Sequence, residues 1–271
     1  MKIAYLGPEG SHTERAAQLF AKITGAEVEP VDSIYSAFEA VEEGKYSVVP
    51  SENSTEGSVT LTLDLLLRSP VRIFAEVSLS VRHSLIGHPG ATVRKVYSHP
   101  QALAQCREYI RNRSWEAVST KSTADAVKFV AECGDPSIAA IGSEEAAEKY
   151  GLEVLERDIQ DNPNNKTRFI LIGPQNAESP LPGEKPLKAS LFFELENVPG
   201  ALWRALGVFA RRGVNLSRIE SRPSLKDLGY YVFYVDYERP EDEGSLLQEL
   251  GAKASYIKYL GSYPVIHPSL K

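Results

Sequence analysis

The sequence predicts an α/β protein in two parts: a longer front domain of alternating strands and helices, and a smaller tail module of ferredoxin-like order. Three observations predict it. Strand and helix signals alternate from Lys2 to Gly173, which favours mostly parallel sheets covered by helices. The stretch "PQNAESPLPGEKPLK", Pro174 to Lys188, holds four prolines and few apolar residues and reads as a linker. Beyond it the elements come in the order β-α-β-β-α-β.

In the front part, Lys2 to Leu6 reads as a strand closed by the turn residues Gly7, Pro8 and Gly10. Ser11 and Glu14 make a capping-box pattern; Ala16, Ala17, Leu19, Phe20 and Ile23 recur at helical spacing, and Gly25 suits the stop. A strand near Val28, a helix from Ser33 to Glu43 and a strand from Ser47 to Val49 follow. The loop "PSENSTEGS" leads into an apolar helix around Leu61 to Leu67 and a strand from Val71 to Ser80. Lys95 to Tyr97 is a strand, Gln101 to Arg111 and Thr123 to Glu132 are helices, and "SIAAIGS" is a strand. Ser143 to Tyr150 is a helix with Gly151 just past its end, and Phe169 to Ile172 is an apolar strand stopped by Gly173 and Pro174. In the tail, Ala189 to Glu194, Asn215 to Ser221, Tyr230 to Asp236 and Ser255 to Leu260 are strands. The tail helices run from Gly200 to Arg212 and from Glu241 to Leu250.

Composition narrows the function. The 271 residues suffice for two domains, and 42% hydrophobic with 24% charged residues is ordinary for a soluble protein. A formal net charge of -6 without a run of Lys and Arg disfavours nucleic acid as a partner. No apolar run has the length of a membrane span, and the apolar stretch in "MKIAYLGPEG" is too short for a signal peptide, so the cytoplasm is the expected location. Cys106 and Cys133 form no C-x-x-C pair and read as buried thiols in a reducing compartment. The histidines His12, His83, His88, His99 and His267 show no metal spacing, so no metal is expected.

Ligands in such sheets bind beyond the carboxyl ends of strands, where "GPEGSHTE", "PSENSTEGS" and "NKTRF" stand. Ser11 reads either as a helix cap or as a carboxylate contact at that helix start, with Thr13 in the same turn. His12 reads as a neighbour of a site. Asn53 either binds a ligand or stabilises its own turn, and Glu52 is assigned to structure. Gln101 opens another helix. Thr167 and Arg168 sit where a polar loop joins an apolar strand. Arg168 either forks onto a carboxylate or pairs with an acid at the lobe edge. In the tail, the free N–H groups of Gly200, Ala201 and Leu202 suit an anion, and Asn215 offers an amide; tight helix packing at Gly200 is the plainer reading.

Four motifs in this order, "GPEGSHTE", "PSENSTEGSV", "SHPQALAQC" and "DNPNNKTRF", resemble those of the prephenate dehydratase family. The tail motifs Gly200-Ala201-Leu202-Trp203 and Glu220-Ser221-Arg222-Pro223 resemble the Gly-Ala-Leu-Val and Glu-Ser-Arg-Pro of the ACT domain that follows it, with Trp203 as a bulkier departure. The resemblance spans nearly the whole chain. It is to the monofunctional form, since strand-forming sequence starts at Lys2 with no helical chorismate mutase domain before it.

The resemblance implies a two-lobed, type II periplasmic-binding-protein-like catalytic domain over residues 1–177. Lobe one is about 1–78 plus 160–177 and lobe two about 79–159, with hinges near Ser78 to Arg82 and Ile159 to Asn165. A linker at 178–187 and an ACT domain at 188–271 follow. It implies conversion of prephenate to phenylpyruvate, water and carbon dioxide, regulated by L-phenylalanine. Aromatisation drives that reaction, so no cofactor is expected. Thr167 is the implied catalytic residue, donating a hydrogen bond to the departing hydroxyl. Arg168, Phe169, Asn53, Ser54, Ser11, Thr13 and Gln101 are the implied substrate contacts. Gly200, Ala201, Leu202, Asn215, Leu216, Ser217 and Glu220 are the implied phenylalanine contacts, at an interface between ACT domains in a homodimer or homotetramer. Arogenate dehydratase, and a two-lobed sensor without chemistry, are the competing readings.

Overall fold

The computed structural model describes residues 1–181, 183–223 and 231–268. Lobe one opens with β1 (Lys2–Leu6), α1 (His12–Thr24), β2 (Glu27–Val31), α2 (Ile34–Glu42), β3 (Tyr46–Asn53), β4 (Gly57–Ser58), α3 (Thr60–Arg68) and β5 (Val71–Ser80). The chain then crosses into β6 (Ser84–Gly87), β7 (Lys95–Ser98), α4 (Pro100–Gln105), α5 (Arg107–Asn112) and β8 (Glu116–Ser119). α6 (Thr123–Cys133), β9 (Ile138–Gly142), α7 (Glu144–Tyr150) and β10 (Glu153–Glu156) complete this second lobe. β11 (Lys166–Pro174) returns to the first sheet.

Both lobes follow one plan. In the first, β1, β2 and β3 are parallel, and the returning strand β11 is wedged antiparallel between β3 and β5. In the second, β7, β8 and β9 are parallel, and the entering strand β6 is wedged antiparallel between β9 and β10. This is the two-lobed architecture the resemblance implied. Leu79 and Ser80 still pair with β11, so the first crossing lies beyond Ser80.

Local chemistry sets the helix ends. Ser11, Ser33, Ser122 and Ser143 each accept a bond from the amide three residues on, and α1, α6 and α7 stop on left-handed Gly25, Gly134 and Gly151. The expected helix from Gln101 to Arg111 is two short ones broken at Cys106. Cys106 is buried as expected but Cys133 is exposed, which corrects that reading. β3 runs past Pro50 to Asn53 because a bulge at Ser51 absorbs the proline, which has no N–H to give the ladder.

The tail comprises β12 (Lys188–Glu194), α8 (Ala201–Arg211), β13 (Leu216–Pro223), β14 (Tyr231–Glu238), α9 (Glu243–Gly251) and β15 (Tyr256–Tyr263). Its sheet order is β13-β14-β12-β15, the ferredoxin-like arrangement. The turn between β13 and β14, and the expected strand start at Tyr230, lie outside the described residues. One face of this sheet, with Ala189, Leu191 and Phe193, packs on α8 and α9. The other face carries Phe192, Tyr234, Leu260 and Tyr263 into the core of lobe one, against Leu63, Leu66, Ile73 and Ile170. β15 lies so close to β5 that a Cβ on Gly261, at φ +111°, would stand 2.9 Å from the Ile73 carbonyl oxygen. Lys258 Nζ donates to the Leu66 and Leu67 carbonyls at the end of α3, at 2.7 and 3.1 Å. Finally β16 (Val265–Ile266) joins the sheet of lobe one, parallel to β5. Among the described residues, no helix is long and apolar enough to cross a membrane.

Candidate active site

A cleft of about 260 Å³ opens between the lobes. Lobe one supplies the start of α1 and the adjoining ends of β3 and β11; lobe two supplies the starts of α4 and α6. Ser143 Oγ donates to the Gly10 carbonyl at 3.0 Å, and Lys149 pairs with Glu9, so the lobes touch at one rim. Gly10 is required there: its φ is +83°, and a Cβ would sit 3.3 Å from that of Ala146.

Thr167 and Asn53 are direct neighbours across the β3–β11 ladder. The Asn53 amide is fixed in one orientation. Its Oδ1 accepts the backbone N–H groups of Thr55 and Glu56 at 2.9 and 3.2 Å. Its Nδ2 therefore faces Thr167 and donates to Oγ1 at 2.9 Å. With an acceptor position occupied by Asn53, the threonine hydroxyl proton is free to be given to something in the cleft.

Around this pair, Ser11 caps α1, accepting from Glu14 N at 3.2 Å, and Thr13 is buried beside it. Gln101 lines the cleft from lobe two. Ser54 stands just outside: its hydroxyl accepts from Lys166 N at 2.9 Å and donates to Asn165 Oδ1 at 3.3 Å, bracing the β3–β11 junction. His83, Gln105, His99 and Lys121 also line the cleft and were not among the expected site residues. His83 followed a strand, and Lys121 precedes the helix start Ser122-Thr123, which is the signal that would have found them. His83 Nε2 meets Gln105 Oε1 at 2.8 Å, and the His12 and His83 rings lie edge to face at 6.3 Å. Burial lowers the pKa of His83, opposed by the bond with Gln105. Burial, with help from His83 and Arg15 and against Glu145, lowers His12 to about 4. Both rings are neutral near pH 7.

Two expectations are corrected. Arg168 is buried on the opposite face of β11 from Thr167, where NH1 donates to Asp236 Oδ2 of the tail at 2.6 Å and Nε to Ser51 Oγ at 3.0 Å. Arg168 thus makes the structural pairing with an acid rather than a carboxylate fork in the cleft, and the acid belongs to the tail rather than to a lobe edge. Burial opposes the charge on Asp236, but Arg168, Lys188 and bonds from Ser190 and Tyr234 hold its pKa below the ordinary range. Phe169 is 2% exposed and packs in the core with Ala16 and Phe20 rather than walling the substrate.

Residues 3–177 match the family model described as prephenate dehydratase, and residues 189–254 match that of the ACT domain. The chain belongs to the prephenate dehydratase family. The prephenate dehydratase of Methanocaldococcus jannaschii is 46% identical over 268 residues, covering 97% of this chain and 98% of that one. The structure of an Arthrobacter aurescens prephenate dehydratase in complex with L-Phe superposes with a TM-score of 0.86 at 35% identity, covering 97% of this chain and 90% of the other. A structure described as GqqA, a novel type of quorum quenching acylase, has the same TM-score at 32% identity, covering 98% of each chain.

In this prephenate dehydratase family member the tail offers a second concavity. Gly200, at φ 80°, starts α8 without a side-chain cap, and the Ala201 N–H is already given to the Val198 carbonyl at 3.1 Å, which corrects the expectation that all three amides at this helix start are free. Beside them a pocket of about 110 Å³ is lined by Leu195, Val198, Ala201, Leu202, Tyr231 and Phe233. Leu216 pairs with Tyr237, at the far end of β14 from Tyr231, with Asn215 and Ser217 beside it. Asn215 Nδ2 donates to Glu238 Oε1 at 3.0 Å, and Ser217 Oγ to the Asp236 carbonyl at 3.4 Å. The 11 residues of α8, a helix about 16 Å long, stand between Gly200 and this group in the chain. Glu220 is turned to the front domain: it accepts from Ser58 and, at 3.1 Å, from Arg218, so it is spent on an interdomain contact, contrary to the expectation of an effector ligand.

Proposed function

We propose that the protein converts prephenate to phenylpyruvate, water and carbon dioxide, and that L-phenylalanine regulates it through the tail. The observation that carries this is the fixed Asn53 amide donating to Thr167 Oγ1 at the mouth of an interlobe cleft. In the reaction the bond from the ring carbon to its carboxylate breaks, carbon dioxide leaves, and the electron pair moves through the ring to expel the hydroxyl from the opposite carbon. Thr167 donates its hydrogen bond to that departing oxygen, which develops negative charge. Replacement of the proton falls to solvent or a cleft neighbour, and neutral His12 and His83 keep the wall uncharged. Ser11, Thr13 and Gln101 are the proposed substrate contacts, joined by Asn53, with Lys121 as a cation for one carboxylate.

The lobes are taken as about 1–80 with 160–177, and 81–159, the expected boundary at 78 moving to the end of β5, followed by a linker at 178–187 and the regulatory domain. Gly200–Leu202 and Asn215–Ser217 sit at opposite ends of α8, which supports a homodimer or homotetramer joined through ACT domains as the form that binds phenylalanine. Coupling between the two sites is expected at about 1–3 kcal/mol. The free thiols Cys106 and Cys133 are in keeping with a cytoplasmic location.

The test follows phenylpyruvate absorbance from prephenate, and in parallel phenylalanine from arogenate, with and without added L-phenylalanine. Turnover of prephenate, inhibited by phenylalanine, is the expected result. Thr167→Ala should lower turnover by about 10²–10⁴ with the fold intact. Absence of turnover by the pure protein would sink the reading, and a preference for arogenate would reassign the substrate.

A further inference from the structure

The regulatory strand β13 reaches into the loop that aims Asn53. The β3–β4 hairpin is closed by the pairs Glu52–Ser58 and Asn53–Gly57. Its turn amides, Thr55 and Glu56, are the ones that orient Asn53. The outer corner of the hairpin is Ser58, and its hydroxyl is held from the tail: Arg218 donates to it, and it donates to Glu220. Arg218 and Glu220 brace each other at 3.1 Å, and the Arg218 guanidinium lies 5.1 Å from the centre of the Tyr234 ring. Arg218 is only 9% exposed.

The grip has slack in one place. Glu52, next to Asn53, lies 3.7 Å from Arg168 and 3.9 Å from Arg218, within ion-pair range of both and hydrogen-bonded to neither. Arg218 NH1 is correspondingly buried without a hydrogen-bond partner among the described residues. A shift of β13 by a fraction of an ångström along the sheet would let Arg218 capture Glu52 or release it, and Asn53 is the next residue. β13, which carries Arg218, is the edge strand of the tail sheet, so a ligand or partner along that edge would bear on β13 before the other strands of the sheet.

We propose that Arg218 and Glu220, carried on the regulatory domain, are positioning residues for the dehydration, setting through the β3–β4 hairpin the angle at which Asn53 addresses Thr167. This rests on the reading of Thr167 as the donor to the departing hydroxyl. It predicts that the tail acts on the chemical step more than on substrate binding, because the hairpin bears on the donor.

The test uses the full chain with Ser58→Ala, which removes the hydroxyl from the grip, and Ser58→Thr, which keeps it. Ser58→Ala should lower kcat for prephenate about tenfold while KM changes less than about twofold. Amide hydrogen exchange at Thr55 and Glu56 should quicken in the same variant, and Ser58→Thr should restore both readouts. Wild-type kcat and wild-type exchange in Ser58→Ala overturn the proposal, as does a change confined to KM. Should Ser58→Ala fail to fold, Arg218→Lys, which keeps the charge but not the fork, is judged by the same two readouts. If the unmodified protein shows no turnover, the dehydratase reading fails, and the exchange measurement alone decides whether the grip orders the hairpin.

Discussion

At the scale of single residues, the site depends on which hydrogen-bonding roles are already taken. Asn53 can only donate to Thr167 because two backbone amides occupy its oxygen; an aspartate there would accept from Thr167 and turn the hydroxyl away from the cleft. The junction at Thr167, where polar loop meets apolar strand, was legible in the pattern, while the role proposed for its hydroxyl came from the family resemblance. Arg168 was left open between a carboxylate fork and a pairing with an acid, although the period of a strand already disfavours adjacent residues sharing a face. Its partner Asp236 lies 68 residues on, in another domain, and nothing local announces it. The histidines carry a pH signature. His12 has a folded-state pKa of about 4, below the ordinary value of 6.5, so the unfolded chain takes up a proton first as pH falls. Its contribution to stability is complete above pH 6.5 and is lost between there and about 4. In His12→Gln the fall in melting temperature between pH 7 and pH 4.5 should be shallower than in the parent; identical slopes would show that His12 is not the group responsible.

At the scale of elements, the strands legible in the sequence are those with long apolar runs, such as Val71–Ser80. β8 and β10, four residues each, the first opening on a glutamate and the second with one at either end, lie at sheet edges and carry too little apolar patterning to be seen. β3 was cut short at Pro50 by a rule that holds for straight strands and fails at a bulge. The docking of β15 on β5 is likewise a matter of one backbone. Gly261→Ala places a methyl against the Ile73 carbonyl at a left-handed φ, and should lower unfolding free energy by about 1–3 kcal/mol in urea titration. An unchanged midpoint would mean that β15 can lift from β5 without cost.

At the scale of the whole molecule, the two-part organisation read from the sequence is right in order and misleading in independence. The linker composition suggested a tethered module, yet the tail sheet buries Phe192, Tyr234, Leu260 and Tyr263 in a core shared with lobe one. β12 was legible as a strand, but apolar residues on both of its faces mean that both are covered, and the sequence does not say by what. Residues 188–271 expressed alone would expose that second face, so they should bind the hydrophobic dye ANS and melt without a cooperative transition, whereas the full chain shows a sharp one. A cooperative, dye-silent tail fragment would show that the shared core is dispensable.

The strand β16 adds an ordering in time. The edge of β5 that it covers belongs to a sheet whose other strands are all made by residue 174, while Val265 and Ile266 come about ninety residues later. During synthesis the catalytic half therefore waits with an open edge until the regulatory half has left the ribosome, at roughly 5–20 residues per second a delay of several seconds. A chain stalled or cleaved before Val265 presents that unpaired edge to its neighbours.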